Sequence, residues 1–351
     1  MKKKVTIAMS GGIDSAVAAL LLLRQGYDVC GATMRLCKKL SPEGIDGSDT
    51  DISDAAGVCS LLGIPHKAID MSKKFDEIII KNFIDTYKEG GTPNPCVLCN
   101  KAIKFGALLD EVLSSGADMI ATGHYAKIEE KDGRYLVKKA KDIKKDQTYM
   151  LWSLSQHQLS HTVLPLGDLT KDEIREIAEK NKFHIARKSD SQDICFVPDG
   201  DYASFIEEHT GEKYPEGDYI DENGNVLGKH KGVIHYTIGQ RKGLGISMGR
   251  HIFVTDKDPV NNTVTLADED KLFTDRVIIR NINLIPFDKL EGKMRVEAKI
   301  RYGQRQSPAY AEQTGDDEIT LIFDEPQRAP AKGQSAVFYV GEYLIGGGII
   351  Q

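Results

Sequence analysis

Residues 5 to about 210 alternate between two textures, and this alternation restricts the fold more than any other feature of the chain. Short β-rich runs ("KVTIAM", "DVCGATM", "IPHKAID", "ADMIATG") are separated by helical stretches. The helical pieces are "DSAVAALLLLRQG", which ends near Gly26, and "TDISDAAGVCSLLG", with Asp51 or Ser53 as cap and Gly63 as stop. They continue with the amphipathic run from Lys73 to Lys88, "CNKAIKFGALLDEVLSSG", "TKDEIREIAEKNKF" and "DYASFIEEHTG". Such a rhythm predicts an α/β fold, a doubly wound parallel sheet with helices on both faces. Beyond residue 212 the texture changes. "DENGN" and "DPVNNT" read as hairpin turns, and "KMRVEAKIRY", "EITLIFDE", "SAVFYV" and "EYLIGGGII" as strands. The C-terminal third is therefore expected to be all-β, as one or two small barrels or sandwiches.

A chain of 351 residues is too long for one ordinary core, so two or three domains are expected. A net charge of −6 gives no global sign of nucleic-acid binding, and any such surface must be a local basic patch. The opening "MKKKVTIAMSGGIDSAVAALLLLRQG" has the basic start of a signal peptide, but Gly11, Gly12 and Asp14 interrupt it. Its apolar piece, Ala16 to Leu23, is far short of the ~20 residues that span a bilayer. The expected location is cytoplasmic, with no membrane partner. Six cysteines in a chain of this length do not make a secreted disulfide scaffold. Cys30, Cys37 and Cys59 lack motif spacing and read as buried or incidental thiols.

"SGGIDS", Ser10 to Ser15, follows the first strand and opens the first helix. There, backbone N–H groups and the helix dipole can receive phosphate. Gly11 and Gly12 allow close approach, and Ser10 and Ser15 offer hydroxyls. The Gly-Lys-Ser/Thr ending of a Walker loop is missing, so γ-phosphate transfer of that kind is not indicated. Asp14 is a candidate to hold magnesium or to fix the loop. The plain alternative is a tight strand–helix turn. The stretch resembles the S-G-G-x-D-S signature of enzymes that cleave ATP between the α- and β-phosphates. That resemblance implies adenylation of a substrate oxygen with release of pyrophosphate. Met34 and Gly123 fall at strand ends, where such a fold receives adenine.

"TPNPCVLCNKAIKF" carries Cys96 and Cys99 ahead of Lys101 and Lys104. A helix N-terminus and two cations are expected to lower the pKa of Cys99. A third thiol, Cys195, lies in "KSDSQDICFVP", which reads as a short strand after polar residues.

In order, "AMSGGIDS", "TPNPCVLCNKAIKF", "ATGHYA", "KDQTYML", "DSQDICF", "HYTIGQRKGLGI", "KIRYGQ" and "GQSAVFY…GGGII" together resemble the tRNA-specific 2-thiouridylases, from residue 5 to the C-terminus. The resemblance implies ATP-dependent replacement of the 2-oxygen of the wobble uridine, U34, by sulfur in tRNAs for Lys, Glu and Gln. AMP and pyrophosphate are released, and Mg²⁺ is required. It also implies a catalytic domain over residues 1–200, a small central, mainly β domain over 201–276 and a β-barrel over 277–351. It assigns Ala8, Met9, Ser10, Gly11, Gly12, Ile13, Asp14, Ser15, Met34 and Gly123 to ATP. It makes Cys99 the nucleophile or thiol partner, and Cys195 the persulfide carrier. Asn94, Pro95 and Cys96 would face a flipped base, because chemistry on a stacked base edge is blocked. His124, Lys145, Asp146, Gln147, Arg301, Tyr302 and Gln334 match tRNA-contacting positions. "KKAKDIKKDQ", Arg241 and Lys242 would extend that patch, although a solvated face is their plain reading. The implied partners are tRNA and a cysteine desulfurase or other sulfur donor.

One position departs from the family pattern, since Cys96 stands where an aspartate is usual. Two schemes then fit the thiols. In one, Cys96, Cys99 and Cys195 ligate a 4Fe-4S cluster, leaving one iron open to carry sulfide. In the other, a Cys195 persulfide attacks the adenylated carbon, and Cys99 or Cys96 closes a disulfide. Zinc lacks a fourth ligand beside Cys195. Two further function classes remain. A small-molecule synthetase of the same ATP-cleaving kind has no need of three cysteines or a barrel. A non-catalytic RNA-binding module leaves "SGGIDS" unexplained.

Overall fold

The computed structural model describes residues 2–36, 47–185 and 194–351. Cys37 and the polar residues before Ile194 lie outside the described residues. The chain opens with β1 (Lys4–Ala8), α1 (Ile13–Arg24), β2 (Asp28–Arg35), α2 (Gly47–Leu62) and β3 (His66–Asp70). A long helix follows as α3 (Ser72–Phe75), a π-helical segment (Asp76–Ile80) and α4 (Lys81–Lys88). A second comprises α5 (Pro95–Cys99), another π-helical segment (Asn100–Ala107) and α6 (Leu108–Ser114). Then come β4 (Met119–Ala121), β5 (Lys127–Lys131), β6 (Arg134–Lys138), α7 (Gln156–Ser160), β7 (Thr162–Val163), α8 (Lys171–Lys180) and α9 (Tyr202–Thr210).

Strands β3-β2-β1-β4-β7 form one sheet, every pair of it parallel. One hydrophobic cluster gathers α1, α2 and α8, and another gathers the two long π-interrupted helices. Central strand β1 is sealed between them, with Val5 and Ile7 at most 1% exposed. This is the doubly wound arrangement expected from buried parallel strands. α2 starts at Gly47, ahead of the expected caps, so Asp51 and Ser53 lie within the helix.

A second sheet follows from β8 (Gly217–Ile220), β9 (Val226–His230), β10 (Phe253–Asp258) and β11 (Thr263–Ala267), ordered β10-β11-β8-β9. The last six strands are β12 (Phe273–Leu284), β13 (Lys293–Lys299), β14 (Ser307–Gly315), β15 (Glu318–Arg328), β16 (Ser335–Val340) and β17 (Tyr343–Ile350). They run β12-β15-β14-β13-β16-β17, and β17 pairs back onto β12 to close a barrel without free edges. The C-terminal third is thus one barrel and one open sheet.

The β5–β6 hairpin was not legible as such. Its Asp132-Gly133 turn, with φ +52° and +78°, is a tight hairpin signal hidden in a lysine-rich run. β6 extends the barrel sheet through β17 (Leu344 opposite Val137), tying the first domain to the last. Trp152 strengthens the junction. Its indole Nε1 donates to Ser335 Oγ at 3.0 Å, and its ring lies against Gly347, which has no Cβ to collide with it.

Candidate active site

The loop between β1 and α1 alternates in exposure. Ala8, Ser10, Gly12 and Asp14 reach the surface at least in part, while Met9, Gly11, Ile13 and Ser15 are buried. The buried members shape the loop. Ser15 Oγ accepts from the Ser10 N–H at 3.2 Å and donates to the Gly12 carbonyl at 2.9 Å. Gly11 adopts φ +70°, and a Cβ there would meet the Asp51 carbonyl oxygen at 2.7 Å. Glycine is thus required twice over, by conformation and by the approach of α2. Gly12 caps α1 with no side-chain hydrogen bond, so the first N–H groups of the helix are not covered by a capping side chain.

Asp14 is the loop's anchor. Lys171 Nζ donates to its Oδ1 and Oδ2 at 2.8 and 2.9 Å, and Tyr125 OH donates to Oδ1 at 2.7 Å. Lys171 is only 5% exposed. Of the two expected roles, fixing the loop is the one this geometry serves. Both carboxylate oxygens face the ammonium, a setting that competes with a metal ion. Lys171 is 157 residues away in sequence, and no motif spacing marks it.

The thiol segment is built as a helix start. Asn94 is the N-cap of α5, its Oδ1 accepting from Val97 N at 3.4 Å, and Pro95 takes the first turn. Cys96 is exposed on that turn, while Cys99 is buried in the next. This corrects one expectation. Cys99 does not precede the helix, and its pKa is raised, because burial outweighs the opposing charge of Lys104. Cys96 shifts the same way, its thiol also crowded by protein and also facing Lys104. The π-helical winding that follows sets Lys104 five residues beyond Cys99, one turn of such a helix.

Gly123 and His124 join the two halves. Gly123 lies at the carboxyl end of β4, and a Cβ on it would sit 3.0 Å from both Asp14 C and Ser15 N. His124, 9% exposed, bonds Thr122 Oγ1 at 2.7 Å and packs its ring 5.7 Å from Phe105 on the thiol helix. Burial first, then Lys104, holds its pKa well below 6.5, so the imidazole is neutral. Met34 lies at the end of β2, partly buried.

The barrel supplies the facing wall. Tyr302 is 42% exposed, with its OH 3.4 Å from the Asp146 carbonyl, and it lies in the field of Cys96. Lys299 Nζ stands over the rings of Tyr149 and Tyr302 at 5.2 and 5.4 Å. Tyr149 reaches Asn94 on one side and donates to the Ser335 carbonyl at 2.8 Å on the other. Arg301 donates to the Ala329 carbonyl at 2.6 Å, and burial lowers its pKa. Gln334 Nε2 donates to the Thr92 and Pro93 carbonyls at 3.1 and 2.8 Å. Asp146 accepts from Ala140 N and Thr148, and Gln147 Oε1 from Tyr125 N, while Lys145 is half-buried beside them. Asn94, Cys96, Tyr149, Arg301, Tyr302 and Gln334 therefore converge. Tyr149 and Lys299, which lie within "KDQTYML" and "KIRYGQ" but are not among the site residues that the sequence indicates, belong to the same wall. The lysine run is less free than a patch requires. Lys138 pairs with Glu129, Lys141 with Glu173, and Lys139 donates to Gln306. Arg241 and Lys242 are exposed.

Cys195 sits on an exposed turn, which corrects the strand expected there. Its neighbour Phe196 packs on Phe75, Phe83 and Phe205, in the cluster that also holds Cys99. The three cysteines do not assemble a donor set. Among the described residues, no group of three His, Cys, Asp or Glu side chains is placed to hold a metal ion. The 4Fe-4S arrangement does not fit this geometry, and no step is routed through it. Among the described residues, no helix is long and apolar enough to cross a membrane.

Three family models match in series. They are a tRNA methyl transferase HUP domain over residues 3–199, a tRNA methyl transferase PRC-barrel domain over 203–268 and an aminomethyltransferase β-barrel domain over 274–350. The chain is 50% identical over 356 aligned residues to the tRNA-specific 2-thiouridylase MnmA of Clostridioides difficile, covering 100% of this chain and 99% of that protein. It is 48% identical to the protein of the same name from Clostridium acetobutylicum, with both chains covered in full (100% each). A solved 4-thiouridine synthetase–RNA complex with bound ATP aligns with 60% of this chain and 50% of that one, at TM-score 0.37 and 16% identity. So low a score carries no weight.

Proposed function

The chain belongs to the tRNA-specific 2-thiouridylase family, a family of enzymes, and on that premise we propose that it is an ATP-dependent tRNA-uridine 2-sulfurtransferase acting on U34 of tRNAs for Lys, Glu and Gln. One observation supports this reading above others: Thr122–His124 touches the ATP loop with Gly123 and the thiol helix with His124. Adenylation of O2 and sulfur attack at C2 take place on one carbonyl group, so the two sites have to adjoin. The methyl-transfer wording of two domain models has no counterpart in this chemistry. An ATP-cleaving loop beside thiols suits activation of an oxygen followed by its replacement.

In this scheme the flipped uracil enters between Cys96 and the Tyr302 wall, and ATP lies on the loop from Ala8 to Ser15, with Met34 and Gly123 beside it. A Mg²⁺ ion would be held by the ATP phosphates rather than by Asp14, whose oxygens Lys171 occupies, and would neutralise charge on the leaving pyrophosphate. Uracil O2 attacks the α-phosphorus, a P–O bond forms and pyrophosphate leaves. A cysteine desulfurase or other donor has loaded Cys195 as a persulfide. Its terminal sulfur attacks C2, the C2–O bond breaks and AMP departs with the oxygen. The thiolate of Cys99, or of the exposed Cys96 beside it, then attacks Cys195 Sγ. That breaks the S–S bond, leaves the outer sulfur on C2 as 2-thiouridine and forms a protein disulfide. An external dithiol restores the thiols. The raised pKa values of Cys96 and Cys99 keep both protonated until substrate enters.

The experiment measures tRNA-dependent pyrophosphate and AMP release and 2-thiouridine by mass spectrometry, with a persulfide donor and anaerobic iron and sulfide analysis alongside. Cys195→Ser is expected to release pyrophosphate with tRNA but to form no 2-thiouridine, because AMP leaves only when sulfur attacks C2. Asp14→Ala is expected to bind tRNA without releasing AMP. AMP release driven by a small amine without tRNA would point to a small-molecule synthetase. Stoichiometric iron required for turnover would overturn the persulfide route.

A further inference from the structure

We propose that Lys257, on β10, is a positioning residue for the Cys96 thiol, acting through a strap of residues 90–94 clamped between the central sheet and the barrel. The inference rests on Cys96 and Cys99 forming the thiol site.

The strap begins at a defined helix end. Gly90 has φ +78°, its N–H bonds the Tyr87 carbonyl, and the Gly91 N–H bonds the Thr86 carbonyl at 2.8 Å. This paired pattern closes α4 and fixes the exit direction. Beyond it the chain gets its hydrogen bonds from other domains. Thr92 N donates to the Lys332 carbonyl at 2.7 Å, and Gln334 Nε2 holds the carbonyls of Thr92 and Pro93. Asn94 then caps the helix carrying Cys96 two residues later.

The central sheet holds the other side. Lys257 is 7% exposed, and its Nζ donates to the Tyr236 carbonyl at 2.8 Å and to the Gly91 carbonyl at 3.4 Å. The ammonium also stands 5.9 Å from the centre of the Tyr87 ring. Pro259, on the same arm, presses on Gly90, where a Cβ would meet its Cγ at 3.0 Å. Gly91 is equally confined, between Thr86 and the Lys332 carbonyl. Among the described residues no carboxylate pairs with Lys257, and Asp256 next to it is the acidic group that opposes its burial. An ammonium held by carbonyls in a dry site costs stability relative to an apolar side chain. What it provides is a directional tie between two domains at the point where the chain turns toward Cys96.

The test uses the full-length protein with Lys257→Met and Lys257→Arg. It reads the rate of Cys96 alkylation by iodoacetamide at peptide level, the melting temperature, and steady-state thiolation and AMP release. For Lys257→Met we expect a melting temperature within about 3 °C of the parent. Cys96 alkylation should change about 5-fold or more and the kcat for thiolation fall about 10-fold, with KM for tRNA within about 2-fold. Lys257→Arg, which keeps a donor cation, should recover part of both. Parental alkylation and kcat in Lys257→Met would overturn the proposal. So would a uniform loss of every activity with a large drop in melting temperature, which marks a structural role. If Lys257→Met does not fold, Lys257→Gln, which removes the cation but keeps a polar head, decides by the same alkylation rate, a parental rate overturning the proposal. If the parent makes no 2-thiouridine, the functional reading fails, and the alkylation comparison still decides the role of Lys257.

Discussion

Gly123→Ala tests the junction between the proposed ATP loop and the thiol helix with a single methyl group. An ideal Cβ at this position lies 3.0 Å from Asp14 C and Ser15 N and 3.1 Å from Asp14 Cβ, where ordinary contact begins at 3.4 Å. The wall must therefore retreat by about 0.4 Å, and interiors at crystal-like density resist that. It cannot retreat freely, because Ser15 is bonded to Ser10 and Gly12, and Asp14 to Lys171 and Tyr125. Gly123 is absent from the left-handed backbone positions, so the effect is steric alone. Overpacking of this kind costs about 1–3 kcal/mol. At about 2–4 °C per kcal/mol, the melting temperature should fall by about 2–12 °C. A shift of this size in the N–H groups proposed to receive phosphate should lower AMP formation about 10- to 100-fold. Gly116→Ala is the control. Gly116 has φ +86° and nothing within 4 Å, so alanine costs about 1 kcal/mol of backbone strain without moving the loop. The assay is thermal denaturation with tRNA-dependent AMP release. Gly123→Ala at parental ATP KM and parental rate would refute the reasoning.

Iodoacetamide at pH 7.5 should label exposed Cys96 before buried Cys99, by about 10-fold or more, and peptide mass spectrometry reads the order. Stability should decline from pH 7 to pH 5. The unfolded chain takes protons on histidine near pH 6.5, whereas folded His124 stays neutral, its pKa held well below that by burial and Lys104. Each such histidine contributes up to about 1.4 kcal/mol per pH unit. His66, His230 and His235 shift in the same direction, so His124→Asn should flatten the urea-stability curve only in part. Gly347→Ala places a methyl 2.8 Å from the Ala336 carbonyl and 2.9 Å from the Trp152 ring. It should cost about 1–3 kcal/mol and alter the fluorescence of this single tryptophan.

What the sequence determined by itself were the features that a local pattern encodes. Strand and helix periods fixed the parallel sheet, because side-chain burial repeats with the backbone geometry of each element. "SGGIDS" marked a loop whose glycine at position 11 is demanded by its own backbone angle. "TPNPCVLCN" marked the approach to a helix, but its start fell at Pro95 and not after Cys99, because Asn94 and Pro95 begin it within one turn. Tertiary structure alone decided what depends on neighbours distant in the chain. Lys171 reaches Asp14 and makes it an anchor. Burial among Val97, Ile103 and Phe105 raises Cys99 where lysines and a helix start had suggested the opposite. Gln334 and Lys257 grip the strap leading to Cys96 from two other domains. Charge is visible in a sequence, but desolvation is not, because it is set by atoms that the fold brings from elsewhere.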